Sequence, residues 1–284
     1  MVVLIVGEML FSHFRHRHLY EGKDTAINLL CTSWNFVNDL IFRAVTLAIL
    51  SWAFQFRVFS FESKGILYWT LLFLAQDLAY YFLHFCDHYV RFFWASHVTH
   101  HSSEKYNFTV AIRSSVFQPF YRFLFYLPLP LLGFEALDIV FMYAVTQVYG
   151  FWVHTETIYK MPAWFEFIFV TPSHHRVHHA SNAPYLDSNM GMVLIIWDRI
   201  FGTFRPELEE EKARFGLTKN VGSYHPIKVV FHEWQAIAND LRHAPDWKSR
   251  WMYLFGPPGW SHDGSRQTSK ELRAEWLNAR KQLK

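Results

Sequence analysis

His97-Val98-Thr99-His100-His101 and His175-Arg176-Val177-His178-His179 are two copies of one pattern, and His84-Phe85-Cys86-Asp87-His88 lies just ahead of the first. Side chains at i, i+3 and i+4 share one face of a helix. Each stretch is therefore expected to be helical and to present its imidazoles together. These eight histidines are more ligands than one ion can use; a pair of ions would use them. The chain holds only two cysteines, Cys31 and Cys86, so it has no Cys set of the kind that holds structural zinc. Imidazole suits iron, copper, zinc and nickel.

Outward from these clusters, His154 opens His154-Thr155-Glu156-Thr157 at the end of an apolar segment and is a candidate ninth ligand. His174, beside His175, is a candidate ligand or a partner behind the ligands. A ligating imidazole needs its other ring nitrogen held by a carboxylate or carbonyl. Asp87, Glu104, Glu156 and Asp198 are the acids nearby. Asp77 stands inside an apolar run, where an acid is costly unless paired or functional. The scattered His13, His16, His18, His225, His232, His243 and His262 read as packing or surface residues. Cys86 reads as a packed free thiol.

Of the 284 residues, 51% are hydrophobic and 19% aromatic, a composition suited to a membrane protein, whose interfaces gather aromatic side chains. The mean hydropathy is only +0.02 because a polar tail dilutes the apolar runs. A net charge of +3 gives no case for nucleic acid. Basic residues interleaved with Trp and Phe fit an anionic membrane surface. No basic leader or small-residue cleavage site marks a signal peptide around Met1–Phe14.

Val2–Phe11 is apolar but short of the roughly 20 residues a span needs. Leu40–Phe56 and Ile66–Leu83, joined by Arg57–Gly65, read as a helical hairpin, and Val116–Leu127 with Ala136–Val153 as a second. The turn Pro128–Asp138 has no Lys or Arg, whereas Arg15, Arg17, Lys23 and Arg43 precede the first hairpin. Arg91, Lys105, Arg113 and Arg122 lie between the hairpins. The positive-inside rule then places every His cluster on the cytoplasmic side, in a bacterial inner membrane or the endoplasmic reticulum. The sequon at Asn107 should carry no glycan there. The expected architecture is all-α: an integral-membrane helical bundle with a cytoplasmic His-rich helical cap. Residues 1–83 would be N-terminal membrane helices, 84–204 the catalytic region with the second hairpin, and 205–284 a polar cytoplasmic region. Within the last, His225–His243 and Ser269–Lys284 read as surface helices.

A two-metal histidine site at a membrane surface suggests oxygen activation on a lipid chain. Hydrocarbon has no acidic proton and no leaving group, so attacking it needs a strong oxidant, for which iron is suited. Trp94–Asn107, Phe151–Glu156, Thr171–His179 and Leu194–Phe204 together resemble the fatty acid hydroxylase/sterol desaturase superfamily of integral-membrane di-iron enzymes, over about Ile66 to Gly259. The resemblance implies two iron ions and the hydroxylation or desaturation of an ether lipid, sterol or fatty acyl chain with molecular oxygen. No dinucleotide fingerprint or haem-attachment motif is present. Electrons would come from a separate reductase, ferredoxin or cytochrome, or from tetrahydrobiopterin. A zinc hydrolase is disfavoured because His-Glu-x-x-His is absent. A His-rich membrane metal transporter or binding protein is the non-enzymatic alternative, but transport sites sit near the membrane midplane.

Overall fold

In the computed structural model, which describes residues 1–282, every regular element is a helix; two isolated β-bridges, Phe169 to Leu194 and Ala180 to Phe215, complete it. α1 (Val2–Phe14) precedes the long α2 (Gly22–Phe54) and α3 (Ile66–Tyr89). α2 and α3 have 33 and 24 residues and are apolar and long enough to cross a membrane. At ~1.5 Å per residue they measure about 50 and 36 Å, against a hydrocarbon core of about 30 Å. Phe36, Leu40 and Ile41 of α2 are 62%, 60% and 61% exposed. Such surface is costly against water and ordinary against lipid. The outer surface is that of a membrane protein.

α4 (Arg91–His101) follows α3 after a single residue, Val90, whose extended backbone makes a sharp corner. The chain then breaks into α5 (Phe108–Ala111), a 3₁₀ turn (Gln118–Phe120), α6 (Phe123–Tyr126) and α7 (Pro128–Leu131) before α8 (Ala136–Trp152). The expected helix over Val116–Leu127 therefore does not form as one span. Pro119, Pro128 and Pro130 lack the N–H a helix interior needs and interrupt the run. α8 has 17 residues, about 26 Å, and packs with the broken arm against α3. Leu72, Leu83, Leu129 and Ile139 form the buried core between them.

At the end remote from the histidines, the loop after α2 closes over α7. Val58 N donates to Leu131 O at 2.7 Å, and Phe61 stacks on Phe134 at 5.1 Å. Gly133 turns the chain here at φ +98°, and a Cβ on it would run into the carbonyl oxygen of Phe59. At the other end lie α9 (Ala163–Ile168), α10 (Pro172–His178), α11 (Ile196–Phe201), α12 (Pro226–His243), α13 (Trp247–Phe255) and α14 (Ser269–Gln282). α12 and α14 cover the expected surface helices, except that residues 283–284 lie outside the described ones. α13 was not anticipated. α3 runs unbroken through residue 83, so the boundary expected there falls inside a helix.

Three basic residues counted toward the charge asymmetry are internal. Arg91 bonds Glu233 and Asp240, Arg113 bonds Asp24 at 3.0 Å, and Arg122 is ion-paired with Asp39. Their partners lie far along the chain, so the sequence reads them as free charges.

Candidate metal centre

α3, α4, α10 and the residue two beyond α8 bring nine imidazoles to one place. They form two groups, His84, His88, His97, His101 and His178 in one, and His100, His154, His175 and His179 in the other. Within each group the ligand nitrogens lie within 4.8 Å of one another. The groups adjoin, since His101 and His179 stack with ring centroids 4.3 Å apart. Each repeated motif straddles both. Successive helical residues are rotated by about 100°, so His100 and His101 leave α4 toward different groups, as do His178 and His179 at the end of α10.

The rings are oriented from behind. Nδ1 of His84 donates to Met190 O at 2.8 Å, Nδ1 of His100 to Arg113 O at 3.1 Å, Nδ1 of His154 to Gly150 O at 2.7 Å and Nδ1 of His178 to Ser188 O at 2.9 Å. A carbonyl can only accept, so each of these Nδ1 atoms carries the proton and each Nε2 is a bare lone pair. Nε2 of His154 nevertheless lies 3.3 Å from Nε2 of His100, where two lone pairs face each other. Nε2 of His84 is 3.1 Å from that of His97, which is 3.2 Å from that of His101. Imidazole–metal bonds of about 2.1 Å put ligands at right angles about 3.0 Å apart. The Nε2 atoms of His88, His178 and His179 are buried with no hydrogen-bond partner. Inward Nε2 atoms at this spacing, bare in His84, His100, His154 and His178, fit a metal cation.

Burial pushes the imidazoles of His97, His101, His154, His175, His178 and His179 well below the ordinary histidine range, with neighbouring histidines adding to the effect. Burial takes His100 down to about 4. The neutral ring is the form that binds metal.

The expected acids play unequal parts. Asp87 lies 3.6 Å from His97 Nδ1 and accepts from Gln118 and Tyr121 at 2.8 and 2.6 Å. Asp77 and Asp198 touch no histidine of the groups; they hold backbone. Asp198 accepts from the N–H groups of Met190 and Gly191 at 2.6 and 2.8 Å, and Asp77 from those of Val193 and Leu194 at 3.1 and 3.0 Å. Both therefore fix the loop whose Met190 and Ser188 carbonyls orient His84 and His178. Asp187 and Asn189 in that loop adopt φ +49° and +57°. Asn189 holds its turn by donating to His174 O at 3.0 Å.

Glu104 and Glu156 form no hydrogen bond to any of the nine histidines among the described residues. His174 stands outside both groups, its ring 5.5 Å from that of Phe204. The scattered histidines also lie outside; His262 Nδ1, for one, meets Tyr253 Oη at 2.6 Å. Cys31 is buried and Cys86 half-buried, both as free thiols. Asn107 is buried with its amide donating to Leu19 O at 2.8 Å.

Sequence reasoning missed Asp187, whose carboxylate accepts from His88 Nδ1 at 3.3 Å. It also missed Glu8 of α1, which accepts from Phe108 N at 2.9 Å and is hydrogen-bonded by Thr155, next to His154. Arg176, inside the second motif, donates to Ile158 O at 2.6 Å and pairs with Glu207 at 2.7 Å, tying α10 to the segment after His154. An acid in an apolar helix, as with Glu8, was the one available signal.

Two cavities meet the histidines from opposite sides. One of about 430 Å³ is walled by His88, His101, His178 and His179 and by Trp94, Lys219, Lys228 and His232. The other, about 230 Å³, is walled by His84, His97, His100, His154 and His175, by Tyr80, Gln147 and Phe151 of the helical bundle, and by Met192 of the loop before α11.

Helices of spanning length topped by two adjoining groups of metal-competent histidines define a membrane protein with a candidate two-metal centre. Residues 69–203, which include all nine histidines, match the fatty acid hydroxylase family model. Alkylglycerol monooxygenase of Homo sapiens is 40% identical over 223 residues, 78% of this chain and 49% of that protein. The Xenopus tropicalis protein of the same name is 36% identical over 262 residues, 91% of this chain and 57% of its own length. Ornithine lipid hydroxylase OlsE of Rhizobium tropici is 27% identical over 149 residues, 52% of this chain and 45% of that protein. The chain thus belongs to the fatty acid hydroxylase family and spans about half the length of these curated relatives. No solved structure is significantly similar to it.

Proposed function

We propose that this protein is a membrane monooxygenase that hydroxylates a lipid, with an ether lipid, a sterol or a fatty acyl chain as substrate. The observation that carries the reading is the two adjoining groups of imidazoles, with Nε2 left bare in His84, His100, His154 and His178. The five histidines of one group and the four of the other would each hold one iron. When bound, iron supplies the dioxygen chemistry that an unactivated C–H bond requires.

The protein's part is orientation and access. Carbonyls of Gly150, Arg113, Ser188 and Met190 hold the imidazoles in one tautomer. The cavity among Tyr80, Gln147 and Phe151 is reached from the spanning helices and suits the substrate chain. Ser115, Gln118 and Gln147 in its wall suit a polar group close to the attacked carbon. Gln147 Oε1 is buried there without a partner. The names of the relatives, an alkylglycerol monooxygenase and an ornithine lipid hydroxylase, support a lipid carrying such a group.

The larger cavity on the opposite side faces residues 205–284, which would form the water-side cover. A reductase, ferredoxin, cytochrome or tetrahydrobiopterin would deliver electrons there. The His-bearing end would face the cytoplasm, with α2 and α3 among several passes. The test is comparative lipidomics of cells with and without the protein, in air containing ¹⁸O₂. The expected result is a lipid pool that gains labelled oxygen, or is cleaved, only with protein and oxygen. Absence of any oxygen-dependent lipid change would contradict the reading.

A further inference from the structure

We propose that α12 and α13 form a hairpin seated in the headgroup layer of the membrane, with α13 presenting an aromatic face to anionic lipid. α13 buries Ser249 and Tyr253 against the body of the protein. On its opposite face Trp247, Trp251 and Phe255 recur every four residues and are 76%, 56% and 40% exposed. Residues spaced by four line one side of a helix. Tryptophan and phenylalanine on the outer face of an amphipathic helix are the side chains that enter the boundary between headgroups and acyl chains.

The hairpin sits at the height where the spanning helices emerge. Arg91 N, just past the corner that ends α3, donates to Gly256 O at 3.0 Å and pins the end of α13 there. Phe255 lies 6.2 Å from Phe92 of α4. On α12, Phe231 lies 6.2 Å from Trp34 of α2 and 5.5 Å from Phe117. The exposed apolar surface of α2 continues from this level through Phe36 and Val37. The aromatic face of α13 thus continues the lipid-facing surface of the bundle.

The charges select the lipid. The hairpin's acids are engaged within the protein: Glu233 and Asp240 pair with Arg91, Asp240 also with Arg266, and Asp246 caps α13 by accepting from Ser249 N at 2.7 Å. Arg242, Lys248 and Arg250, at the end of α12 and on α13, have no carboxylate partner among the described residues. Cations flanking an aromatic face favour anionic headgroups. By contrast, α14 buries no residue and has Leu277 as its one large apolar side chain among the strongly exposed, so it serves as a water-facing reference.

The test uses the full chain reconstituted into phosphatidylcholine vesicles with and without phosphatidylglycerol. An environment-sensitive fluorophore is placed at Trp251→Cys, at Trp247→Cys as a second position on the same face, and at Lys270→Cys on α14. Labelling of Cys86 is subtracted using the parent chain. Shallow nitroxide lipids should quench positions 247 and 251 about twofold or more, with a blue-shifted emission, and leave 270 unaffected. Quenching should weaken without phosphatidylglycerol. Positions 247 and 251 as open to aqueous iodide as 270, and insensitive to nitroxide lipid, would overturn the seat. Equal quenching in both vesicle types would overturn the anionic preference. Shielding in native membranes but not in vesicles would assign the face to a protein instead.

Discussion

His100 and His154 bring to one point two nitrogens that can only accept. In each, Nδ1–H donates outward to a carbonyl, and the two bare Nε2 atoms stand 3.3 Å apart. A cation would relieve the repulsion, which would make individual histidines separable in function from the fold. His84→Ala, His100→Ala and His178→Ala should each reduce lipid hydroxylation by at least about 100-fold, with membrane insertion unchanged. His262→Ala, whose ring meets Tyr253 away from both groups, should keep most activity. Equal loss in all four, assayed in the same membranes, would mean the clusters are not special. The same rings predict a pH response in the metal-free protein. Burial lowers His100 to about 4, and six other imidazoles well below the ordinary value of 6.5. Below pH ~6.5 the unfolded chain then binds protons that the folded chain refuses. Stability should be fully present above about 6.5 and fall as pH drops toward 4. Thermal melts from pH 7.5 to 4.5 check this. A melting point that rises in acid would contradict it.

At the level of elements, the histidine motifs were legible because helical spacing is a strict rule. His84 and His88, one turn apart on α3, and the two repeated motifs needed no tertiary information to be grouped. What tertiary structure adds is that each motif divides between two sites, a consequence of the rotation between adjacent helical residues. The acceptors behind the rings were not legible. Ser188, Asp187 and Met190 act from a loop whose left-handed turns leave no periodic signal, and Asp77 and Asp198 act through that loop's backbone. The apolar run Val116–Leu127 reads as a span by composition, yet Pro119 within it and Pro128 and Pro130 just after it break the arm into short pieces. The turn after those pieces gives an element-scale prediction. Gly133→Ala must adopt φ +98° with a side chain and push away Phe59. It should lower stability by about 1–3 kcal/mol, read as a lower melting point in detergent. An unchanged melting point would mean that the closure of residues 55–65 over α7 is loose.

For the whole molecule, the two cavities give a direction. The smaller opens among the spanning helices and the larger among residues 205–284, with the histidines as the wall between them. The proposed delivery of lipid on one side and of electrons on the other would have the ends of the bundle face opposite sides of the membrane. Cysteines at Ser63, exposed in the loop at the remote end, and at Ser265 should label from opposite sides, Ser265 from the cytoplasm alone. Gly133 is unsuited as the remote label, because any side chain there meets Phe59. Labelling of both from one side would remove the proposed donor access. The family match spans all nine histidines, so the site and the fold stand or fall together. Metal content tests the two-metal site most directly. Protein purified without oxygen from iron-replete cells, and shown to turn over lipid, should contain two irons per chain, one for each group of imidazoles. Active protein holding one ion or none would contradict it.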